Sequence, residues 1–452
     1  MALPPEAAAT LARLELFGIN FGVERTARLL AELGDPQVEL PAVLVAGTNG
    51  KGSVAALVDA VVREAGYRTG LYTSPHLEEV EERLRIGGRA IEGGRLGARV
   101  LEAIAAAERV LDGPPTYFEA LTAAAFVELA EAGVDLAVLE VGLGGRLDAT
   151  NLSEPMLSLI TPIGLEHRAW LGDTAAAIAR EKAGILRPGR PAIAWGGDTE
   201  ADAALAAVAE EVGAELTFGD RAASIERVEA LGWEGQRLTV ITPRPASTDA
   251  GRASHSEGAR HELITPLLGV HQATNVAHAI LAAETLATLG FDRIDAPAIA
   301  RGVAAVRWPG RLEPVPLPPG AGPRRVLLDA GHNPHAAAAV AAFLDTLAAR
   351  GEGPVDLLLG LLADKDAEAI LPPLAARCRR VTLTLPPHAR GRDPRDLLPL
   401  APTATVLPDL PHALDHALAA APDTLLVTGS FYLVGTARRL LRHRFATPPP
   451  TL

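Results

Sequence analysis

The segment AVLVAGTNGKGSVAALVDAVVREA, residues 42–65, decides the fold of this chain. Its first five residues form an apolar run typical of a buried parallel strand, and a helix is predicted from Ser53 onward. The loop between them carries glycines and Lys51, so that backbone N–H groups and a helix N-terminus would face phosphate oxygens. Val45 in the first glycine position and Gly52 after the lysine depart from the general phosphate-loop pattern. The alternative is a glycine-rich turn with an exposed lysine, but the flanking strand and helix favour nucleotide binding.

Composition limits the remaining classes of function. The chain has 452 residues, enough for two domains, and its net charge of −13 argues against nucleic acid or an anionic membrane as the main partner. No charged and apolar leader precedes Leu11, and no apolar run is long enough to span a bilayer, so we expect a cytoplasmic location. Cys378 is the only cysteine, which excludes an internal disulfide and a cysteine-based zinc cluster.

Two series of alternating apolar runs and helical stretches predict two α/β domains. The first series lies within residues 43–195 and indicates a doubly wound sheet of the phosphate-loop type. The second begins near Val326 and indicates a Rossmann-like α/β domain without a phosphate loop of its own. Between them, Trp308-Pro309-Gly310-Arg311 interrupts the helical periodicity as a hinge would. We therefore predict domains at residues 1–307 and 308–452.

Three segments between these regular elements have distinctive patterns. Residues 225–242 include a run of alternating polarity, which predicts a small antiparallel excursion from the first domain. The polar stretch at 243–261 predicts a mobile loop in which His255 and His261 are solvated. The glycine-rich run at 142–151 also predicts a mobile loop, in this case over the site.

Polar side chains follow the predicted strands directly, where ligands of open α/β sheets bind. Ser74 follows the second strand, Glu140 closes the third and His167 follows the next. An acid near a phosphate loop is suited to hold Mg²⁺, although Glu140 alone would also suit a turn cap. His167 is as suited to a structural hydrogen bond as to metal or substrate. Lys182 lies beside a glutamate on an apparent helix, where a solvated lysine is the simplest interpretation.

Further candidates lie at the starts of predicted helices. Residues 116–119 combine two aromatic rings with a carboxylate, which suits either a flat heteroaromatic ligand or packing in the core. In the second domain, polar turns at Asp329, His332 and Ser430 each follow a strand and precede a helix. Substrate binding and helix capping explain these turns equally well.

Taken together, these segments resemble the folylpolyglutamate synthase/dihydrofolate synthase family within the wider Mur ligase superfamily. The resemblance extends over almost the whole chain and explains why the loop at Lys51 departs from the general phosphate-loop pattern. The matching segments, in family order, are residues 47–53, 73–77, 117–119, 140–151, 164–172, 181–185, 271–275, 308–313, 329–334 and 428–435. Two departures concern local turns: Glu166 stands where the family commonly has aspartate, and Ala330-Gly331 reverses the usual Gly-Ala order.

The resemblance implies a role for each matching position. It places ATP at Asn49, Gly50, Lys51, Gly52, Ser53, Asn275, Arg311 and Asp329. It implies Ser74, Glu140 and His167 as magnesium ligands. It assigns the pterin or folate side to Thr116, Tyr117, Phe118, Glu119, Leu147, Asp148 and Ala149, and the glutamate side to His332 and Ser430. The implied catalytic residues are Lys51, Lys182, His167 and His332, with Lys182 carbamylated by CO₂. A carbamate would turn that cation into an anion able to support metal.

The implied activity is that of an ATP-dependent carboxylate–amine ligase. It would add L-glutamate to dihydropteroate, to the γ-carboxyl group of tetrahydrofolates, or to both, through an acyl phosphate. Mg²⁺ is the implied cofactor and ATP the implied co-substrate. A monovalent cation is a further candidate cofactor. We expect a monomer that acts on small molecules in folate and one-carbon metabolism, with no nucleic-acid or membrane partner. Because water would destroy the acyl phosphate, the second domain should close over the site.

Two alternatives remain at this point. One is another Mur-type amide ligase acting on a cell-wall precursor, against which the segment at 116–119 argues. The other is a nucleotide-binding module without chemistry, which the joint presence of Lys51, Glu140, His167 and Lys182 disfavours. Phosphate release that depends on both a pterin and glutamate would separate the three.

Overall fold

The computed structural model describes residues 2–15, 18, 22–243 and 258–445. Its strands are β1 Ala42–Ala46, β2 Thr69–Tyr72, β3 Leu84–Ile86, β4 Arg89–Ala90, β5 Leu136–Glu140, β6 Pro155–Ile160, β7 Pro191–Ala194, β8 Glu215–Phe218, β9 Ser224–Ala230, β10 Gln236–Thr242, β11 Ala259–Thr265, β12 Glu313–Pro316, β13 Arg325–Asp329, β14 Val355–Leu359, β15 Val381–Leu383, β16 Thr405–Val406 and β17 Thr424–Thr428.

The helices surround these strands. They are α1 Pro5–Leu14, α2 Glu24–Glu32, α3 Lys51–Glu64, α4 Gly93–Val110, α5 Tyr117–Glu131, α6 Arg168–Leu171, α7 Ala175–Ala183, α8 Thr199–Val212, α9 Gly219–Ala222, α10 His271–Thr288, α11 Ala296–Ala305, α12 Pro334–Ala349, α13 Ala367–Ala375, α14 Leu410–Ala420 and α15 Phe431–Phe445. Within the described ranges, none of the helices combines the length and apolar character needed to cross a membrane.

The N-terminal sheet has eight strands in the order β4-β3-β2-β5-β1-β6-β7-β8. The strands from β2 to β8 in this order are parallel, and β3 and β4 extend one edge in antiparallel fashion. In the register of the central strands, Val45 of β1 pairs with Glu140 on one side and Leu159 on the other. The carboxyl ends of β1, β5 and β6 are therefore neighbours, which confirms the predicted doubly wound sheet.

Alternate residues of β1 supply two different cores. Val43 and Val45 pack with α3, α10 and α11 on one face of the sheet, whereas Leu44 and Ala46 pack with α7 and α8 on the other. Helix α11 crosses α3 so closely that a Cβ atom on Gly302 would lie 2.4 Å from the Cα of Val61. Both faces of β1 are thus buried, and the strand presents the loop that follows it from a rigid base.

The predicted antiparallel excursion is a three-stranded sheet in the order β11-β10-β9. His261 belongs to β11 and is buried, so the prediction of a solvated histidine in a loop was wrong for this residue. Its Nε2 lies 2.9 Å from Oε1 of Glu284, which also accepts a hydrogen bond from Oγ1 of Thr242 at 2.9 Å. His255 and the rest of residues 244–257 lie outside the described residues, so the predicted mobile loop is not described there.

The C-terminal sheet has six strands in the order β12-β13-β17-β14-β15-β16. All of its pairs are parallel except β12 with β13. Asp329 at the end of β13 pairs with Thr428 at the end of β17, so the turns that follow these two strands lie side by side. The predicted combination of two α/β sheets and a small antiparallel sheet is confirmed.

His278 on α10 makes the stability of this fold dependent on pH. Its Nε2–H donates to the backbone oxygen of Ile193 at 3.2 Å, and its Nδ1 has no hydrogen-bond partner among the described residues. Burial lowers the pKa of this histidine to about 4. Since an unfolded histidine has a pKa of about 6.5, the unfolded chain binds the proton first, and stability that is present above that pH is lost as pH falls towards 4.

We expect the His278→Gln variant to lose this sensitivity to acid. Between pH 6.5 and 4 one such histidine contributes a slope of about 1.4 kcal/mol per pH unit in the free energy of unfolding. Thermal unfolding followed between pH 7.5 and 5 should therefore show a smaller downward shift for the variant than for the parent. His412→Gln, at an exposed position on α14, is the matched control and should keep the parent's slope. An unchanged slope in His278→Gln would contradict the assignment.

Candidate active site

A cavity of about 630 Å³ lies between the two α/β domains, at the carboxyl ends of their sheets. The loop after β1 lines one wall, and the turn after β13 lines the opposite wall. The candidate residues that share this cavity are Asn49, Gly50, Lys51, Gly52, Ser53, Ser74, Glu140, His167, Asn275, Arg311, Asp329 and His332. The sheet topology thus brings together most of the candidate positions from both domains.

The loop after β1 has the shape of an anion cradle. Gly50 adopts a left-handed conformation with φ of 88° and caps α3, which begins at Lys51, two residues earlier than predicted. Lys51 curls back over the loop, and its Nζ donates to the backbone oxygens of Gly47 at 3.0 Å and Thr48 at 3.1 Å. The ammonium group therefore sits where the helix N-terminus also concentrates positive potential.

Close approaches explain why this loop is rich in glycine. A Cβ atom on Gly47 would lie 1.8 Å from Oγ1 of Thr161, and one on Gly50 would lie 2.5 Å from Oδ1 of Asn275. A Cβ atom on Gly52 would lie 2.8 Å from the ring of Trp308, in the predicted hinge. The loop is thus enclosed by residues from the segment directly after β6, from α10 and from the boundary between the domains.

Asn49 links the loop directly to the C-terminal domain. Its Oδ1 accepts a hydrogen bond from Nδ2 of Asn333 at 2.9 Å, and its Nδ2 lies 3.0 Å from Nδ1 of His335. Asn333 in turn caps α12, since its Oδ1 accepts from the N–H of Ala336 at 2.8 Å. His335 was not among the predicted site residues.

Glu140 is a buried carboxylate suited to a cation. Its Oε2 accepts from the backbone N–H of Ser74 at 3.1 Å. Burial raises the pKa of Glu140, and the positive charge of Lys51 partly opposes that rise. No group of three or more histidine, cysteine or acidic side chains suited to a metal ion exists within the described ranges. A hard ion that keeps water and phosphate oxygens in its shell, such as Mg²⁺, needs few protein ligands and fits this environment.

His167 reaches the same cavity from the loop after β6. Its backbone is left-handed, with φ of 48°, and it immediately precedes α6. Burial lowers the pKa of His167, so the imidazole is neutral and available as a ligand near pH 7. The oxygen atoms of Ser74 and Glu140 are of the kind that Mg²⁺ prefers, whereas the imidazole nitrogen of His167 is a softer ligand. The magnesium role of the three residues stays a prediction.

Lys182 is not the solvated lysine that its local sequence suggests. It is 2% exposed, and its Nζ donates to the backbone oxygen of Gly47 at 2.5 Å and lies 3.5 Å from Oε1 of Glu166. Burial, reinforced by the charge of Lys51, lowers the pKa of Lys182 to about 7. The surface interpretation was wrong because the helix that carries Lys182 buries this face against the loop after β1.

The turns of the C-terminal domain form the opposite wall. Asp329 is buried, which raises its pKa, and its two oxygens accept from the N–H groups of Leu312 at 2.9 Å and Gly331 at 2.8 Å. The guanidinium carbon of Arg311 lies 4.8 Å from the ring centroid of Phe431, and the His332 ring lies 5.6 Å from the same centroid. Phe431 thus spaces the two residues along this wall.

His332 has a defined tautomer. Its Nδ1 lies 2.9 Å from the backbone oxygen of Ala330, and because a carbonyl only accepts, Nδ1 carries the hydrogen and Nε2 is a free acceptor. Burial lowers the pKa of His332 to about 4. Ser430, the second residue predicted on the glutamate side, uses its Oγ to accept from the N–H of Leu433 at 3.1 Å and so caps α15.

The predicted pterin segments have strong structural roles. Thr116 and Glu119 form a reciprocal capping box at the start of α5, with hydrogen bonds of 2.7 and 3.1 Å, and Arg25 pairs with Glu119 at 3.3 Å. The ring of Tyr117 lies 5.1 Å from the guanidinium carbon of Arg83. A Cβ atom on Gly142 would lie 2.7 Å from the ring of Phe118. None of these four predicted residues lines either of the two cavities at the domain boundary.

The run at 142–151, which was predicted as a mobile loop, forms a turn that is held by hydrogen bonds to Asp148. One oxygen of Asp148 accepts from the N–H groups of Gly142 at 3.0 Å and Leu143 at 2.9 Å, and the other accepts from the N–H and hydroxyl of Thr150. Ala149 begins a short 3₁₀ helix, and Leu147 precedes Asp148. The glycines indicated mobility, but the buried carboxylate organises the segment.

Lys365 is a candidate that the strand-end reasoning missed. It follows β14, and its Nζ lies 3.0 Å from Oδ2 of Asp364. Burial is the main cause that lowers the pKa of His167 and His332, and the positive charge of Lys365 adds to both shifts. The composition of the chain could have indicated this residue. Nearly all of the 42 basic residues are arginines, and the only lysines are Lys51, Lys182 and Lys365, of which the first two were already candidates.

Comparisons with known proteins give matches to both parts of the chain. The Mur ligase middle domain matches residues 45–283, and the Mur ligase glutamate ligase domain matches residues 310–431. A probable bifunctional folylpolyglutamate synthase/dihydropteroate synthase of Haloferax volcanii is 39% identical over 442 residues, which cover 96% of this chain and 50% of the relative. The chain therefore spans about half the length of this curated relative.

Two solved structures match over nearly their whole length. E. coli FolC in complex with DHPP and ADP has a TM-score of 0.82 and 32% identity, and the match covers 97% of this chain and 98% of that chain. A bifunctional folylpolyglutamate synthase/dihydrofolate synthase with Mn, AMPPNP and L-glutamate bound has a TM-score of 0.78 and 31% identity, covering 96% and 98%. The chain belongs to the folylpolyglutamate synthase/dihydrofolate synthase family of the Mur ligase superfamily.

Proposed function

We propose that this protein is an ATP-dependent ligase that joins L-glutamate to a pterin-bearing carboxylate, either dihydropteroate or the γ-carboxyl group of a reduced folate. The observation that carries the proposal is the convergence of Lys51, Glu140 and His332 in one cavity between two domains. The buried Lys182 contacts the loop after β1, which lines this cavity, through the backbone oxygen of Gly47. Family membership supports the substrate class. The proposal retains domains at residues 1–307 and 308–452 and a monomer in the cytoplasm.

The reaction requires activation because a carboxylate does not react with an amine. A carboxylate oxygen of the pterin substrate bonds to the γ-phosphorus of ATP while the bond to the bridging oxygen breaks, leaving ADP and an acyl phosphate. Lys51 and the N–H groups at the start of α3 hold the charge of the transferred phosphoryl group. Mg²⁺ held by Ser74, Glu140 and His167 would supply further neutralisation of that charge.

The second step forms the amide. The amine nitrogen of glutamate bonds to the acyl carbon, the bond from that carbon to the phosphate oxygen breaks, and the proton that the nitrogen loses passes to the released phosphate. With a pKa of about 4, His332 is neutral at pH 7 and too weak a base to retain that proton. Its Nε2 is instead suited to orient the amine by accepting a hydrogen bond. Lys365 offers a positive charge for a carboxylate of the incoming glutamate.

The direct test is phosphate release with defined substrate sets. ATP turnover is measured with dihydropteroate and glutamate, with tetrahydrofolate and glutamate, and with each compound omitted in turn. We expect release only when a pterin substrate and glutamate are both present. Release without a pterin substrate, or only with a cell-wall precursor, would contradict the proposal, and the absence of release with every set would favour a nucleotide-binding module.

Glu140 should control the binding of the divalent ion. We expect Glu140→Gln to weaken Mn²⁺ binding in the presence of ADP by about tenfold or more, because the variant removes the buried negative charge and leaves the shape of the side chain unchanged. Loss of the free Mn²⁺ signal in electron paramagnetic resonance reports the binding. Glu154→Gln, at an exposed surface position, is the control. Equal Mn²⁺ affinity in the parent and Glu140→Gln would remove Glu140 from the ligand set.

A further inference from the structure

A largely buried group of charged residues joins the two domains. This docking cluster consists of Glu78, Glu313, Arg438 and Arg442. The carboxylate of Glu78 contacts both arginines and is 1% exposed, and Arg438 is 5% exposed. Nε of Arg438 also lies 3.0 Å from each oxygen of Glu313. Charges buried as completely as those of Glu78 and Arg438 need their partners, and these two partners come from different domains, so their pairing requires the docked arrangement.

The first arm of the cluster reaches the loop that carries Ser74. The carboxylate of Glu82 accepts from the N–H groups of Leu77 at 2.9 Å and of Glu78 at 3.1 Å, which holds this loop in a tight turn. Helix α15 lies directly against it, because a Cβ atom on Gly435 would stand 1.7 Å from the backbone oxygen of Leu77. The position of the Ser74 loop is therefore set by a helix of the other domain.

The second arm reaches the segment that carries Arg311. Oε2 of Glu313 accepts from the N–H of Gly310 at 2.9 Å. Gly310 is left-handed, with φ of 71°, and a Cβ atom there would stand 3.1 Å from the side chain of Leu77. Glu313 thus ties the predicted hinge to Arg438, and the hinge touches the Ser74 loop.

Both sets of contacts, to the Ser74 loop and to the Arg311 segment, lie beside the proposed metal position. Ser74, Glu140, Arg311 and Arg438 line one small cavity of about 30 Å³ beside the main site. Arg438 lies next to the residues proposed to bind metal and nucleotide and does not line the larger cavity. We infer that Arg438 is a positioning residue, which brings the Ser74 loop and the Arg311 segment into register when the C-terminal domain docks. This inference rests on the proposed function only for the identity of the metal and nucleotide ligands.

The test uses the full chain and measures binding and shape separately from catalysis. Arg438→Met keeps the length of the side chain and removes its charge. We expect it to weaken Mn²⁺ binding in the presence of ADP by about tenfold and to increase the radius of gyration in small-angle X-ray scattering. Arg444→Met is the matched control, since Arg444 lies on the same helix and pairs with Asp415 within the C-terminal domain. The control should leave both quantities unchanged.

A second variant covers the possibility that Arg438→Met fails to fold. Glu313→Gln keeps the shape of the side chain, and we expect a smaller loss of Mn²⁺ affinity, about threefold. If the variants lower only the thermal midpoint and leave Mn²⁺ affinity and scattering at the parent's values, the cluster merely stabilises the fold and the inference is overturned. Neither Mn²⁺ binding nor scattering requires a pterin or glutamate. This test can therefore be decided even if the proposed ligase activity is not found.

Discussion

The Lys51→Ala variant is expected to lose ATP-dependent turnover by about a thousandfold or more while it remains folded. The ammonium group opposes charge on the transferred phosphoryl group, and removing one such preorganised donor commonly costs two to three orders of magnitude. Among the described residues, Lys51 makes two hydrogen bonds, both to carbonyls of its own loop, so its removal should cost only about 1–2 kcal/mol in the free energy of unfolding.

Steady-state phosphate release and thermal unfolding of the same preparation check both parts of this result. Arg13→Ala, an exposed cation on α1, is the control for a general loss of positive charge and should retain full activity. Turnover near the parent's rate in Lys51→Ala would rule out the loop after β1 as the site of phosphoryl transfer. A loss of turnover accompanied by unfolding would leave this role of the ammonium group without support.

Lys182→Ala is the second change with a large expected effect. A carbamate forms when the neutral amine bonds to the carbon of CO₂ and loses a proton. With a pKa of about 7, roughly half of the Lys182 amine is neutral at pH 7, compared with about one in three thousand for an ordinary lysine. We expect Lys182→Ala to lose at least about a hundredfold in kcat, and short carboxylates such as formate or acetate to restore part of it. Lys182→Arg should fail as well, since guanidinium stays positive and forms no stable carbamate.

The carbamylated fraction of Lys182 should change with pH in one direction. Burial holds the pKa of Lys182 in the folded protein below its value in the unfolded chain, so the proton binds preferentially to the unfolded state. In the folded protein, the amine becomes protonated as pH drops through about 7, and the fraction of Lys182 that is carbamylated at constant dissolved CO₂ therefore falls. Carbon-13 NMR with labelled CO₂ measures this occupancy directly. Only two other lysines exist in the chain, so Lys51→Ala and Lys365→Ala controls allow the signal to be assigned. A labelled signal that persists in Lys182→Ala, or an active Lys182→Arg variant, would contradict carbamylation.

The sequence predicted the architecture because its strongest signals are local. The apolar run before Gly47 is buried on both faces, and the segments at 225–242 and after Val326 have the periodicity of the sheets that they form. Strand-end reasoning also selected Glu140 in one sheet and His332 in the other as site candidates, because ligands of open α/β sheets bind at the carboxyl ends of strands, and both residues line the same cavity. These predictions needed only residues within a few positions of each other.

The remainder depended on packing between distant segments. The burial of Lys182 results from contact with Gly47, 135 residues away, and no pattern around the lysine shows it. The glycines near Asp148 suggested a mobile loop. The hydrogen bonds that fix this turn could not be predicted, because they depend on the direction in which the buried carboxylate of Asp148 points. Likewise, the pairing of Glu78 with Arg438 spans 360 residues and is a property of the docked domains.

The order of strands in the N-terminal sheet has a consequence for synthesis of the chain. Strand β1 is made first among the strands, yet it lies in the middle of the sheet between β5 and β6, which end at Glu140 and Ile160. As the chain leaves the ribosome, β1 therefore cannot gain both of its partners until about a third of the protein has been made. Until then at least one of its two edges has no partner strand. Among the strands that the structure describes, the one that later carries the phosphate loop thus waits longest for its partners in the sheet, and early contact with a chaperone would matter more for it than for the other strands.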